Sequence, residues 1–165
     1  MTRLLLSSAP FIAACALAFA GAPPALAAEP GWRTTTIAAA SPAGAPTTVA
    51  LWYPSAASPR AIAMGPFTVR AAPGAPPEPR LQGLVLLSHG TGGSELGHAS
   101  LAEALARRGY LVAALRHPGD NWQDESLLMD TPERYFVERP LQARRVIDAL
   151  LGDPLFGPRI ATDAV

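Results

Sequence analysis

The sequence contains no lysine and a single cysteine, Cys15. Without lysine there is no Gly-Lys-Ser/Thr, so a phosphate-cradling P-loop is excluded. Every basic residue other than histidine is an arginine, and the formal net charge at pH 7 is +0. With a pI of about 6.8 and no basic stripe, nothing points to a nucleic-acid partner. G-x-S-x-G, the sharp turn that presents a nucleophilic serine in many hydrolases, does not occur in the 165 residues. Proline, by contrast, is abundant, with 18 residues placed mostly outside the periodic segments.

The chain opens with an expected export signal, residues 1–27. Arg3 supplies a minimal positive start, Leu4 to Phe19 is largely apolar and uncharged, and Ala25-Leu26-Ala27 is a small-x-small cleavage site. The dense apolar part is short and no basic stop-transfer cluster follows, so a stable membrane anchor is not expected after cleavage. Export to the periplasm or medium is the expectation. Ile12-Ala13-Ala14-Cys15 also has the look of a lipobox, which makes a lipoprotein anchored through Cys15 the minor alternative. Beyond Ala27 no cysteine remains, which excludes disulfide and thiol chemistry there. Residues 28–165 are enough for one modest domain.

Leu84-Val85-Leu86-Leu87 is a continuous apolar run, as expected of a strand buried on both faces. It breaks into Ser88-His89-Gly90-Thr91-Gly92-Gly93-Ser94. Open α/β sheets place ligands at such carboxyl ends. A dinucleotide fingerprint fits Gly90 and Gly92, but Glu95 takes the third glycine's place and would repel a pyrophosphate. Apolar strand, His-Gly, small residues and helix match the loop that lends a backbone N–H to an oxyanion hole. A tight turn without chemistry is the plain alternative.

Around this stretch the pattern is α/β. Trp32 to Ala40 and Thr47 to Tyr53 are β-rich and read as a hairpin, with Pro54 stopping the second strand. Ser55 to Arg80 shows no sustained period and reads as a proline-rich loop. Ser100-Leu101-Ala102-Glu103 is a capping box, with Leu101, Ala102, Leu105 and Ala106 as the apolar face. Gly109 suits the left-handed position after that helix. Tyr110 to Leu115 is a second buried strand, so Leu84 to Leu115 forms a right-handed βαβ unit with parallel strands. His117 follows at a carboxyl end, facing a site or satisfying a turn. Asp124 to Tyr135 reads as an acidic loop. Pro140 to Leu151 reads as a helix with Pro140 at its first position. Its apolar positions are Ala143, Val146, Ile147, Leu150 and Leu151, and Arg144 and Asp148 form an exposed pair. Arg159 to Val165 heads towards a further strand. The strand from Tyr110 to Leu115 is expected to have one edge open.

Leu84 to Ser94, Leu105 to Val112, His117-Pro118-Gly119-Asp120, Trp52-Tyr53-Pro54 and Arg139-Pro140 resemble the predicted dienelactone hydrolases. These are exported α/β-hydrolases similar to the platelet-activating-factor acetylhydrolases. The resemblance implies an α/β-hydrolase fold and a Ser-His-Asp mechanism on a small-molecule or lipid ester or lactone, with no cofactor and no metal. It also implies that Thr91 donates its backbone N–H to the oxyanion, with His89, Gly90, Gly92 and Gly93 shaping the loop. The triad cannot be placed: Ser88, Ser94 and Ser100 lack the elbow, and His89, His98 and His117 precede the nucleophile's position. The chain thus reads as the N-terminal portion of an exported serine hydrolase, ending before the elbow. An amidase or peptidase of the same fold, and a non-catalytic α/β binding protein, are the alternatives.

Overall fold

The computed structural model describes residues 28–42 and 44–161. The expected export signal, Cys15 and the residues from Thr162 onward lie outside them. Six strands within the described residues form one mixed sheet: β1 (Glu29–Ile37), β2 (Thr47–Ser55), β3 (Arg60–Met64), β4 (Phe67–Pro73), β5 (Leu84–Ser88) and β6 (Leu111–Arg116). Their order is β3-β4-β1-β2-β6-β5. The helices are α1 (Ala99–Arg107), α2 (Ser126–Asp130) and α3 (Tyr135–Leu151). The fold is α/β.

β1 and β2 pair antiparallel from Glu29↔Ser55 to Ile37↔Thr47. Pro54 therefore lies within β2 rather than ending it. β5 and β6 run parallel, from Leu84↔Leu111 to Ser88↔Leu115, with α1 between them in the chain. This is the expected βαβ unit, and Gly109 closes α1 at φ +95°. β6 does not have the open edge that was expected, because β2 docks antiparallel on its other side, Trp52 opposite Val112. That pairing joins segments far apart in the chain, which local patterning does not reveal. Among the described residues the outer strands of the sheet are β3 and β5, and β5 is the one beside β6.

Side chains alternate across β2 and β6, as the pleat requires. Val49, Leu51, Tyr53, Leu111, Ala113 and Leu115 pack against Val146 and Leu150 of α3 and against Phe156. Ala50, Trp52, Val112 and Ala114 pack against Ala99, Ala102 and Ala106 of α1. Helices cover both faces, giving three layers. Burying Val146 or Leu150 contributes roughly 1.5–3 kcal/mol each.

Several local expectations yield to tertiary contacts. Ser55 to Arg80 is not one loop: β3 and β4 form an antiparallel hairpin around Gly65-Pro66, and β4 joins the sheet beside β1 through Gly31↔Ala72. Its strands alternate Ile62, Met64 and Phe67, Val69, a period obscured by short length and flanking prolines. The capping box does not form. α1 begins at Ala99 with His98 as N-cap and no side-chain cap bond. Glu103 instead accepts the backbone N–H of Arg70 in β4 at 2.7 Å. Small residues at 99, 102 and 106 face the bulky Trp52, and Leu101 is left exposed. The segment from Asp124 to Tyr135 contains α2 and a 3-10 turn at Pro132–Arg134. α3 begins at Tyr135, so Pro140 stands inside it rather than at its first position. Its early turns are held from outside, by contacts of Tyr135 and Arg139 described below. Leu151, expected on the apolar face, is exposed, while Gln142 is buried. Arg144 and Asp148 form their exposed pair at 3.7 Å.

Candidate active site

The parallel pairing of β5 and β6 brings two loops to the same end of the sheet. One begins at His89, the other at His117. Gly92 adopts φ +66°, a left-handed angle that side chains with a Cβ rarely hold. A Cβ on Gly93 would lie 2.9 Å from His89 Cβ, so this position excludes a larger residue by close approach. At Gly90 a Cβ would meet open space. The loop turns through Gly93 N–H to Gly90 O, 3.1 Å.

Thr91 lies exposed at the crest of this loop. Its hydroxyl is 3.1 Å from Tyr135 OH. Its backbone N–H has no hydrogen-bond acceptor among the described residues. The N–H of the next residue, Gly92, is committed to Asp120 Oδ1 at 2.9 Å. Thr91 therefore offers the free donor of the pair.

Beneath the loop lies a network whose tautomers can be read in sequence. The backbone N–H of His117 donates to His89 Nε2 at 3.2 Å, so His89 carries its proton on Nδ1 and donates to Gly90 O at 2.6 Å. Gln142 Nε2 donates to Pro118 O at 3.2 Å, which turns its Oε1 towards His117 Nδ1, 2.7 Å away. His117 Nδ1–H donates there, and its Nε2 accepts the Ser88 hydroxyl at 2.8 Å. Both histidines are neutral. Burial holds His89 below its usual value. Burial, opposed by the Gln142 bond and aided by Arg139, pushes His117 down to about 4.

Arg139 joins the loops to α3. Its Nη1 donates to Asp120 Oδ2 and, at 2.8 Å, to Tyr135 OH. Its Nη2 donates to Ser88 Oγ at 2.8 Å and to the His89 carbonyl. Asp120 is fully buried. A carboxylate and a guanidinium thus clamp both sides of Thr91.

Ser88, His117 and Gln142 have the connectivity of a nucleophile, base and orienting group, but the electrostatics do not suit that role. A catalytic base must hold the serine proton as an imidazolium. Here burial and the Arg139 charge oppose the imidazolium, and Gln142 brings no negative charge to stabilise it. The arrangement is a neutral, hydrogen-bonded support for the loop.

His89, Gly90, Thr91, Gly92 and Gly93 are contiguous in this loop, as their sequence requires, and His117 joins them from the neighbouring strand. Ser94 is buried with its hydroxyl accepting the Leu96 N–H, and His98 is exposed at the start of α1. Asp120, Tyr135, Arg139 and Gln142 were not singled out as partners from sequence. Tyr135 and Arg139 stand four apart, the spacing of one helix face, and Asp120 and Arg139 fall within the His117–Asp120 and Arg139-Pro140 stretches that carry the resemblance. Among the described residues no group of His, Cys, Asp or Glu is arranged to hold a metal, and no helix is long and apolar enough to cross a membrane.

No protein-family model matches the sequence, and no curated protein matches it. Among solved structures, the chain is similar to a ferulic acid esterase from Streptomyces cinnamoneus, with a TM-score of 0.62 and 23% identity. The fold is that of an α/β-hydrolase. The likeness covers 87% of this chain and 52% of that one, so the chain spans about half the esterase's length.

Proposed function

We propose that this chain supplies the oxyanion-loop portion of an exported ester hydrolase, of the dienelactone-hydrolase type, acting on a small-molecule or lipid ester or lactone. The observation that carries the reading is the unpartnered Thr91 N–H, held between two clamped neighbours at the carboxyl end of β5. Such a donor stabilises the negative oxygen of a tetrahedral intermediate, and preorganisation spares it any reorganisation during reaction. The second donor comes from the residue after the nucleophile. The nucleophile, its base and its acid are carried by residues other than Ser88 and His117. Similarity of fold to a ferulic acid esterase supports ester chemistry over the amidase alternative.

The test is fluorophosphonate labelling of the native protein, with the adduct located by peptide mapping. An adduct on a serine other than Ser88 is expected. An adduct on Ser88 would relocate the nucleophile, and a native protein that takes no label would be a binding protein. In unlabelled enzyme, Gly92→Val should lower ester turnover about 10²–10³-fold, the usual loss for one oxyanion donor. Gly90→Ala should be mild, because its Cβ meets nothing.

A further inference from the structure

The hairpin of β3 and β4, which the sequence presented as part of a loop, forms one wall of a cleft of about 690 Å³. This lies within the range of small-molecule sites, about 300–1,000 Å³. Met64 and Phe67 line it from the hairpin, Leu96 and Trp122 from the opposite side. The backbone of Gly92 and Gly93 forms the wall shared with the Thr91 loop. Trp122 is 63% exposed, yet its backbone is anchored: its N–H donates to Gly93 O at 3.1 Å. A large indole is thus held beside the loop with much of its surface left to solvent.

We propose that this cleft is the subsite for an uncharged, flat apolar group of the substrate, an aryl acyl group or one of similar shape. The proposal rests on the reading of Thr91 as oxyanion donor, because Gly92 and Gly93, the two residues that follow Thr91, line the cleft. Indole, phenyl and thioether side chains give broad contact to a planar ring. The charge balance excludes an anionic group. Arg116 lines the cleft, but its Nη1 donates to Gln123 Oε1 at 2.8 Å and its Nη2 to Thr48 Oγ1 at 2.9 Å. Its Nε faces Glu95 Oε2 at 3.7 Å. A ligand carboxylate would meet Glu95 and find no free cation.

The test uses two probes of one shape, 2-acetonaphthone, which is neutral and cannot be hydrolysed, and the 2-naphthoate anion. Both are titrated into the whole protein and followed by amide and indole NMR shifts. The neutral probe should shift Phe67, Gly92, Gly93 and the Trp122 indole saturably, and naphthoate should bind at least about tenfold more weakly. Trp122→Ala, a surface truncation that leaves the fold intact by circular dichroism, should weaken the ketone by about tenfold. Equal affinity for the two probes, shifts confined to another region, or an unaffected Trp122→Ala would overturn the subsite. Binding is read without turnover, so the two readings fail separately. A fluorophosphonate-labelled enzyme whose cleft ignores the ketone loses the subsite alone. An unlabelled protein that binds the ketone here loses the hydrolase reading and keeps a site for flat apolar ligands.

Discussion

Arg139 sets one guanidinium among four oxygens, those of Asp120, Tyr135, Ser88 and the His89 carbonyl. Its removal leaves the fully buried Asp120 carboxylate without a counter-charge. Arg139→Ala should therefore cost about 3–5 kcal/mol, the usual penalty for breaking a buried pair from one side. Adding Asp120→Asn should restore part of the loss, because a neutral amide still accepts the Gly92 N–H. Urea unfolding of the single and double variants checks this; a double variant no more stable than Arg139→Ala would mean the buried charge is not the cause. His117 makes a pH prediction. Its folded value, about 4, lies below the ordinary 6.5 expected when unfolded. The unfolded chain thus binds more protons between those values, and stability falls as pH falls. The contribution, roughly 3 kcal/mol, is complete above about pH 6.5 and is lost as pH drops to about 4. His89, also lowered, acts in the same direction. In His117→Gln the decline in unfolding free energy across this window should flatten relative to wild type; parallel curves would show that the histidine does not titrate as described.

α3 shows a helix started by tertiary contacts rather than by its own sequence. Pro140 lacks the N–H that would reach Phe136 O and strains the preceding turn. The turns before it survive because Tyr135 and Arg139 are fastened to the Thr91 loop. Arg134 and Glu138 add an ion pair along the same turns. Pro140→Ala should restore the missing bond at an exposed position and stabilise the protein by about 1–3 kcal/mol, measured as a raised melting temperature. A lowered melting temperature would mean that the proline's ring, not the helix ladder, carries the packing there. α1 shows the reverse competition. Its capping sequence is correct in form, but Glu103 has a better acceptor role at the Arg70 N–H of β4. The β3–β4 hairpin was hidden for another reason: its strands are short, half exposed and bordered by prolines, so period-2 alternation barely registers.

The whole molecule has three layers around β2 and β6, and β5 leaves an apolar edge without a paired strand among the described residues. Ile160 begins a parallel bridge beside Leu81, just before β5, on that free side. At the other end of β5, Phe136 of α3 lines a recess with Ser88, and α3 leaves Phe136 and Val137 exposed, at 82% and 57%, together with Leu141. Open strand edges beside apolar surface recruit other chains. The 165-residue chain on its own should self-associate at micromolar concentration, and Phe136→Glu with Leu141→Glu should reduce it. Sedimentation velocity decides the matter; a monodisperse wild-type monomer would refute it. What the sequence determined by itself was whatever is local and periodic: the β1–β2 hairpin, the βαβ unit, the glycine turn after β5 and the apolar stripe of α3. Short-range sterics and the periods of strand and helix set these, and both are written in consecutive residues. Only the tertiary structure decided which edge of which strand stays open, that β4 joins β1, and that Asp120, Arg139, Tyr135 and Gln142 converge beneath Thr91. Those outcomes depend on pairings between distant segments and on buried charge, whose energies exist only once the chain has closed around them.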